Sequence, residues 1–394
     1  MYQSNFVMRK WLGSLPHRNQ LFTKVLRSIK MWGAHRTLAK ISNRLALKIP
    51  IFIYVWPREK DLLLSGCGQF GATSISYFIG KILGGRFLGC YDIDPEKSKL
   101  VQKAYGYKYV ANSFEELISI SGAKRLFIAS NHASHTDQAI RAIKKGLLVH
   151  IEKPVAVTWQ QFAQLSEARK GKGGQVFVGY NRPFSRAMEI ARQHLPCGES
   201  PYTIEHFIVG HLLTADHWYL DPGEGTRICG NVGHWIDLTI HVLSQRSVPD
   251  EWTISINYSD QDREDDNFAL SMTSSKGDLV NMTFTSRAEP FDGINETTNI
   301  QQGHVLLKID DYTSMKLWRN ETYKCYKFQP KDVGHKNSIL QIYDENPKYK
   351  RPWKEVYLST LLMLHITDLV CARITYSKFT FSELEARLVE KNPI

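Results

Sequence analysis

The sequence predicts an α/β protein: a Rossmann dinucleotide-binding domain followed by an α/β domain with a large, mostly antiparallel open sheet. Three observations predict it. From Asp61 to about Arg182, short apolar runs alternate with helical stretches, the pattern of parallel strands joined by crossover helices. A Gly66-x-Gly68-x-x-Gly71 turn separates the first such run from the first helix. Beyond Arg182, long alternating runs take over, which suits a sheet with one face covered.

Before that pattern lies an arm, residues 1–60. It holds 12 Lys/Arg against one acid, Glu59, and so carries all of the chain's net charge of +11. The remainder is neutral, which argues against a nucleic-acid-coating body. Leu21, Phe22, Val25, Leu26, Ile29 and Trp32 recur at helical spacing, and Leu38, Ile41 and Leu45 do so after Gly33. The expectation is a helix pair, either packed on its own protein or in peripheral contact with an anionic membrane surface. The longest apolar run, 49–56, is too short to cross a bilayer.

The Rossmann expectation covers 61–182. Strands are expected at 62–64, 86–92, 125–129, 147–151 and 176–179. Helices are expected from the glycine turn to about 83, and at 95–105, 115–120, 136–145 and 159–169. In the domain expected at 183–394, strands are read at 202–209, 252–258, 268–273, 279–285, 305–309 and 323–328, with helices at 234–244 and 355–373. At 394 residues with 43% hydrophobic and 23% charged, a disordered chain is excluded and two or three domains are expected. Six scattered cysteines without a C-x-x-C pair read as thiols of a reducing compartment. With no secretory signal evident, a cytoplasmic location is expected, with the inner face of the membrane as the peripheral site.

Glycines 66, 68 and 71 suit a tight turn, close approach of backbone to a pyrophosphate, and helix–strand packing, with phosphates resting on the helix N-terminus. Gln69 and Phe70 lie in the same turn. Asp92, at the end of the next strand, would accept hydrogen bonds from a ribose and repel a 2′-phosphate, favouring NAD over NADP; Asp94 is its rival. Ser130, Asn131, His132 and His135 follow a strand at the carboxyl edge of the sheet, where ligands of open α/β sheets bind. Glu152-Lys153-Pro154 ends the next strand, where a lysine could hydrogen-bond a substrate hydroxyl. At 100° per residue, His234, Asp237 and His241 share one helix face, and an Asp–His pair at i, i+4 can set an imidazole's tautomer. A metal site and a structural role compete with that reading; no metal is expected. Trp218, Glu224, Arg227 and Asn231 lie in the Gly/Pro-containing loop before that helix, and such loops commonly line sites. Lys331, His335 and Lys336 form a later basic group.

Together these residues resemble the glucose–fructose oxidoreductase/inositol dehydrogenase (Gfo/Idh/MocA) family. The resemblance rests on GCGQFG at 66–71, YDID at 91–94, ASNHASH at 129–135, AIKKGLLVHIEKP at 142–154, GYNRPF at 179–184 and GHWIDLTIH at 233–241. It implies that Lys153, Asp237 and His241 match the family's catalytic lysine, aspartate and histidine. It also implies that NAD is held by Gly66, Gly68, Gln69, Phe70, Gly71, Asp92, Ser130, Asn131, His132, His135, Glu152, Lys153 and Arg182, and substrate by Trp218, Arg227, Asn231 and His234. The expected activity is NAD-dependent oxidation or reduction of a sugar or UDP-sugar hydroxyl, in the manner of the surface-polysaccharide branch, by a homo-oligomer. The alternatives are a glycoside lyase or epimerase with transient oxidation, and a non-catalytic nucleotide-binding scaffold at a membrane.

Overall fold

The computed structural model describes residues 18–54, 59–171, 175–196, 198–214, 216–259, 263–287, 293–344 and 350–390. The end of the 49–56 apolar run and the Leu21 side chain lie outside the described residues.

The first sheet is parallel, with order β3-β2-β1-β4-β5-β6. Its strands are β1 (Leu62–Ser65), β2 (Phe87–Tyr91), β3 (Tyr109–Val110), β4 (Arg125–Ile128), β5 (Leu148–Ile151) and β6 (Val176–Val178). This is the strand order of a Rossmann fold, with its switch point at β1/β4. β1 is apolar throughout, Leu62, Leu63 and Leu64 being wholly buried, because helices cover both faces. β3 is only two residues long, too short to announce itself in sequence. At the lower edge the buried Asp61 carboxylate accepts from Arg86 at 2.9 Å and from Arg125.

The second sheet has nine strands: β7 (Tyr202–Val209), β8 (Glu251–Tyr258), β9 (Phe268–Ser274), β10 (Leu279–Thr285), β11 (Asn295–Gln302), β12 (Val305–Asp310), β13 (Ser314–Arg319), β14 (Thr322–Lys327) and β15 (Tyr376–Thr380). Its order is β14-β13-β12-β11-β7-β10-β9-β8-β15, antiparallel except for the β7–β10 pair. Helices Gly233–Leu243 and Trp353–Cys371 cover one face. β11 was not among the expected strands because its inward positions, Glu296, Thr298, Ile300 and Gln302, are mostly polar. Glu296 is nevertheless buried. It accepts from Arg182 at 2.8 Å through both oxygens and from Trp235 Nε1 at 2.8 Å, and the Arg182 guanidinium lies 4.2 Å from the Trp235 ring centre. A charged strand interior is tolerated here because each charge is paired and hydrogen-bonded.

The arm forms helices Arg18–Trp32 and Ala34–Arg44, broken at Gly33 with φ 81°. The second helix packs on the helical segment that follows the glycine turn. Arg36, buried, donates to Thr73 O at 3.4 Å and to Ser74 Oγ at 3.1 Å. His35 meets Tyr77 Oη at 3.3 Å, and Ile51 N donates to Ala104 O at 2.8 Å. Burial, with Arg36, Arg44 and Lys331 nearby, pulls the Lys40 ammonium down to about 7. The described part of the arm is thus built into the Rossmann half. One face of its first helix, Phe22, Leu26 and Ile29, remains exposed.

Candidate active site

The glycine turn has the geometry of a phosphate cradle. Gly66 takes φ 91°, and a Cβ there would meet Ala129 backbone at 2.3 Å; one at Gly71 would meet Gly66 O at 2.1 Å. A Cβ at Gly68 would meet nothing within 4 Å, so the open side of the turn is at Gly68. Asp92 braces it from below, accepting from Cys67 N at 2.7 Å and Asp94 N at 2.9 Å. Asp94 instead caps the Pro95–Tyr105 helix through Glu96 N. Gln69 O accepts from Thr73 Oγ1 at 2.7 Å, and Phe70 lies edge-on to His335 at 5.3 Å.

At the carboxyl ends of β4 and β5 a second cluster forms. Lys153 Nζ donates to Gly230 O at 2.7 Å. Gly230 lies one helical turn before His234, whose ring meets Tyr180 edge-on at 5.9 Å. Burial, reinforced by Arg182, Lys153 and His335, holds the His234 pKa well below its ordinary value, so the imidazole is neutral. Burial raises Glu152 to about 8, against the pull of Lys153, and its carboxyl fills the space that a Cβ on Gly179 would occupy. Three buried polar atoms around Lys153 have no partner: Glu152 Oε1, Asn231 Oδ1 and His234 Nδ1. Buried polar groups are nearly always bonded, so a group of orphans at one sheet edge marks a place for a ligand's polar atoms.

Residues 61–180 match the family model described as "Oxidoreductase family, NAD-binding Rossmann fold". Over that stretch, about a third of the chain, the sequence is similar to the Gfo/Idh/MocA family. The chain is 27% identical over 135 residues to an inositol 2-dehydrogenase of Burkholderia ambifaria, covering 34% of this chain and 40% of that one. The inositol 2-dehydrogenase of Ralstonia nicotianae is also 27% identical, over 136 residues. The match thus spans about 40% of the length of these curated relatives. In fold the likeness extends further. A levoglucosan dehydrogenase solved with NADH and levoglucosan superposes with TM-score 0.68 at 13% identity, covering 82% of this chain and all of that one. A dehydrogenase from Chromobacterium violaceum gives TM-score 0.67 at 16% identity over 79% and 94%. The parallel-sheet domain and the nine-stranded sheet together match these neighbours in fold.

The structure corrects several residue expectations. Asp237 and His241 do not bond each other. Asp237, wholly buried, accepts from Arg351 Nη1 at 2.5 Å and Ser359 Oγ at 3.0 Å. His241 Nδ1 meets Glu355 Oε2 at 2.8 Å, and Arg351 also donates to Glu355 at 2.7 Å. Burial outweighs Arg351 and raises the Asp237 pKa, whereas Arg351 and His241 overcome burial and hold Glu355 at about 2. The helix turns these two residues toward Trp353–Cys371 and only His234 toward Lys153. Arg182 is consumed by Glu296. Arg227, wholly buried, pairs with Asp266 at 2.6 Å and supports a loop. His135 faces the carbonyls of Pro154 at 2.9 Å and Ser130 at 3.1 Å, so it ties two loops together. Ser130 Oγ accepts from Ser134 at 2.7 Å. Lys331 is paired with Asp311 at 2.6 Å. Trp218 remains half exposed beside His132. Among the described residues no group of three or more His, Cys, Asp or Glu could hold a metal ion.

Glu224, read in sequence only as one residue of a site-lining loop, has a specific structural part. From the second half of the chain its carboxylate accepts from Asn131 Nδ2 at 2.6 Å and Ala133 N at 3.1 Å, and its carbonyl faces His132 Nδ1 at 3.1 Å. No local pattern signals a contact across some ninety residues.

Proposed function

We propose that this protein is an NAD-dependent oxidoreductase acting on a hydroxyl of a sugar or nucleotide-sugar. The observation that carries the proposal is the cluster of unpartnered buried polar atoms around Lys153, at the sheet edge that also bears the glycine cradle. The cradle residues Gly66, Gly68, Gly71 and Asp92 would hold the dinucleotide. Bound there, nicotinamide would supply a hydride acceptor. The chain's own part is proton and charge handling. Neutral His234 takes the hydroxyl proton as general base, and Lys153 donates to the oxygen as negative charge develops on it. Sugar-type substrates are supported by the inositol and levoglucosan dehydrogenases among the similar proteins; the UDP-sugar and surface-polysaccharide assignment rests on the sequence resemblance.

The test is NADH formation over a panel of polyols, sugars and UDP-sugars. Stoichiometric NADH is expected; turnover of substrate with none accumulating would favour the lyase or epimerase reading, and cofactor binding without turnover the scaffold. NAD should bind more tightly than NADP because the Asp92 carboxylate, at the end of β2, would repel a 2′-phosphate. Asp92→Ala should weaken both and erase the preference, since it also removes two bonds from the glycine turn. Isothermal titration of the two cofactors reads this directly; equal affinities in the unmodified protein would refute it.

We also propose peripheral membrane contact through the exposed Phe22, Leu26 and Ile29 face in the basic arm. Apolar insertion combined with basic charge fits an anionic lipid surface. The full chain should co-sediment with phosphatidylserine vesicles at low salt and release as salt rises. Replacing the three apolar residues with serine should abolish sedimentation without changing the melting temperature.

A further inference from the structure

His132 sits between the two halves of the chain. Its Nδ1 lies 3.1 Å from the Glu224 carbonyl, which can only accept, so Nδ1 carries the hydrogen. Burial, with Lys153 second, lowers its pKa to about 2, so the ring stays neutral and Nε2 carries the lone pair. Trp218 and Tyr219 pack on the ring at 4.7 and 4.8 Å between centres and fix its plane. A Cβ on Gly230 would meet His132 Cε1 at 3.0 Å, and Gly230 O is the group that holds Lys153 at 2.7 Å. A cationic donor and a neutral acceptor are thus brought to the same glycine from two different loops. The neighbouring His135 cannot serve as that acceptor, both its nitrogens being turned to carbonyls.

We propose that His132 accepts a hydrogen bond from a second substrate hydroxyl, adjacent to the one that reacts at Lys153 and His234, and that Glu224 is the positioning residue that holds His132 in this tautomer. The proposal rests on the dehydrogenase reading and narrows its substrate to vicinal diols. Glu224 does two things at once. Its carboxylate fastens Asn131 and Ala133 on either side of the histidine, and that grip holds its backbone carbonyl, the group that selects the Nδ1–H form, against the ring. A buried site with a polar partner waiting for a hydroxyl discriminates strongly against the analogue that lacks it, because the partner is then left unsatisfied.

The experiment has two arms. Nitrogen-15 NMR of histidine-labelled resting protein should show His132 as the neutral Nδ1–H tautomer from pH 5 to 8, and Glu224→Ala should convert it to a tautomer mixture while Glu224→Gln keeps it. An Nε2–H tautomer, or one unmoved by Glu224→Ala, would overturn the assignment whether or not the protein is a dehydrogenase. In the second arm, wild type should favour a vicinal diol over its monodeoxy analogue by about 10-fold or more in kcat/KM. His132→Phe, which keeps the aromatic packing, should remove that preference, and because the readout is a ratio between two substrates, any change in NADH affinity common to both leaves it unmoved. A preference that survives His132→Phe would refute the role. Failure of wild type to oxidise any alcohol would sink the dehydrogenase reading instead, and the NMR arm would still decide the His132–Glu224 arrangement.

Discussion

Replacing His234 with alanine is expected to reduce NADH formation by about 10²- to 10⁴-fold, the range of a lost general base, with cofactor binding near wild type. His241→Ala is expected to leave turnover largely intact and to lower the melting temperature. The contrast follows from where one helix points its polar residues. His234 has a buried nitrogen without a partner and Lys153 among the charges that disfavour its protonation. His241 likewise leaves its Nε2 buried without a partner, but its Nδ1 is hydrogen-bonded to Glu355, it helps to hold that carboxylate ionised, and the charges that act on it are Glu355, Arg351 and Arg192 rather than Lys153. Because burial and surrounding cations hold His234 well below its usual pKa, the base is already unprotonated at neutral pH. Turnover should therefore sit on a plateau through neutrality and fall only on acidification. Steady-state rates of the two variants decide the matter: normal turnover without His234, or a collapse without His241 in a protein that still melts normally, would reverse the assignment. Lys153→Ala should resemble His234→Ala.

Arg351→Ala should destabilise the fold by about 3–5 kcal/mol, the cost of removing one partner from a buried ion pair. Asp237 is wholly buried and would lose its only cation among the described partners, and Glu355 would lose two donor contacts. A double change, Arg351→Met with Asp237→Leu, should recover much of the loss, since replacing a whole buried pair with apolar groups is often neutral. Urea denaturation of the three proteins measures both effects. The pH dependence has a defined sign. Glu355 is held at about 2 in the fold against an ordinary 4.5, so its contribution is present above about 4.5 and is lost as pH falls towards 2. Its carboxylate should thus steepen acid unfolding, and Glu355→Gln should flatten that limb.

Much of this was legible before any coordinates. The five short runs and the glycine turn specify a Rossmann sheet because each strand must be apolar on both faces and each crossover needs a helix. Gly66 and Gly71 are readable for the same reason: only glycine permits backbone contacts as close as theirs. What sequence could not show is which of several polar residues on one helix face looks into the cleft. His234, Asp237 and His241 share a stripe by periodicity, but the stripe is longer than the site. Its far end is claimed by Arg351 and Glu355, more than a hundred residues away. Arg182 and Arg227 misled in the same way. A cation near a cleft reads as a ligand for anions until its carboxylate, Glu296 or Asp266, is found on a strand or loop with no signature of its own.

The arm's grip on the helical segment after the glycine turn has a thermodynamic consequence. Arg36 ties the second arm helix to Thr73 and Ser74, residues of the turn that begins at Gly71, where the cradle ends. Two events that act on one element are linked, and linkage is reciprocal. If seating a dinucleotide tightens that turn, it tightens the arm's attachment by the same free energy; if an outside surface pulls the arm away, the cofactor loosens by an equal factor. The protein's affinity for a dinucleotide would then report where the protein is, and a washed, detached molecule and an anchored one would differ in occupancy without any change within the glycine turn itself.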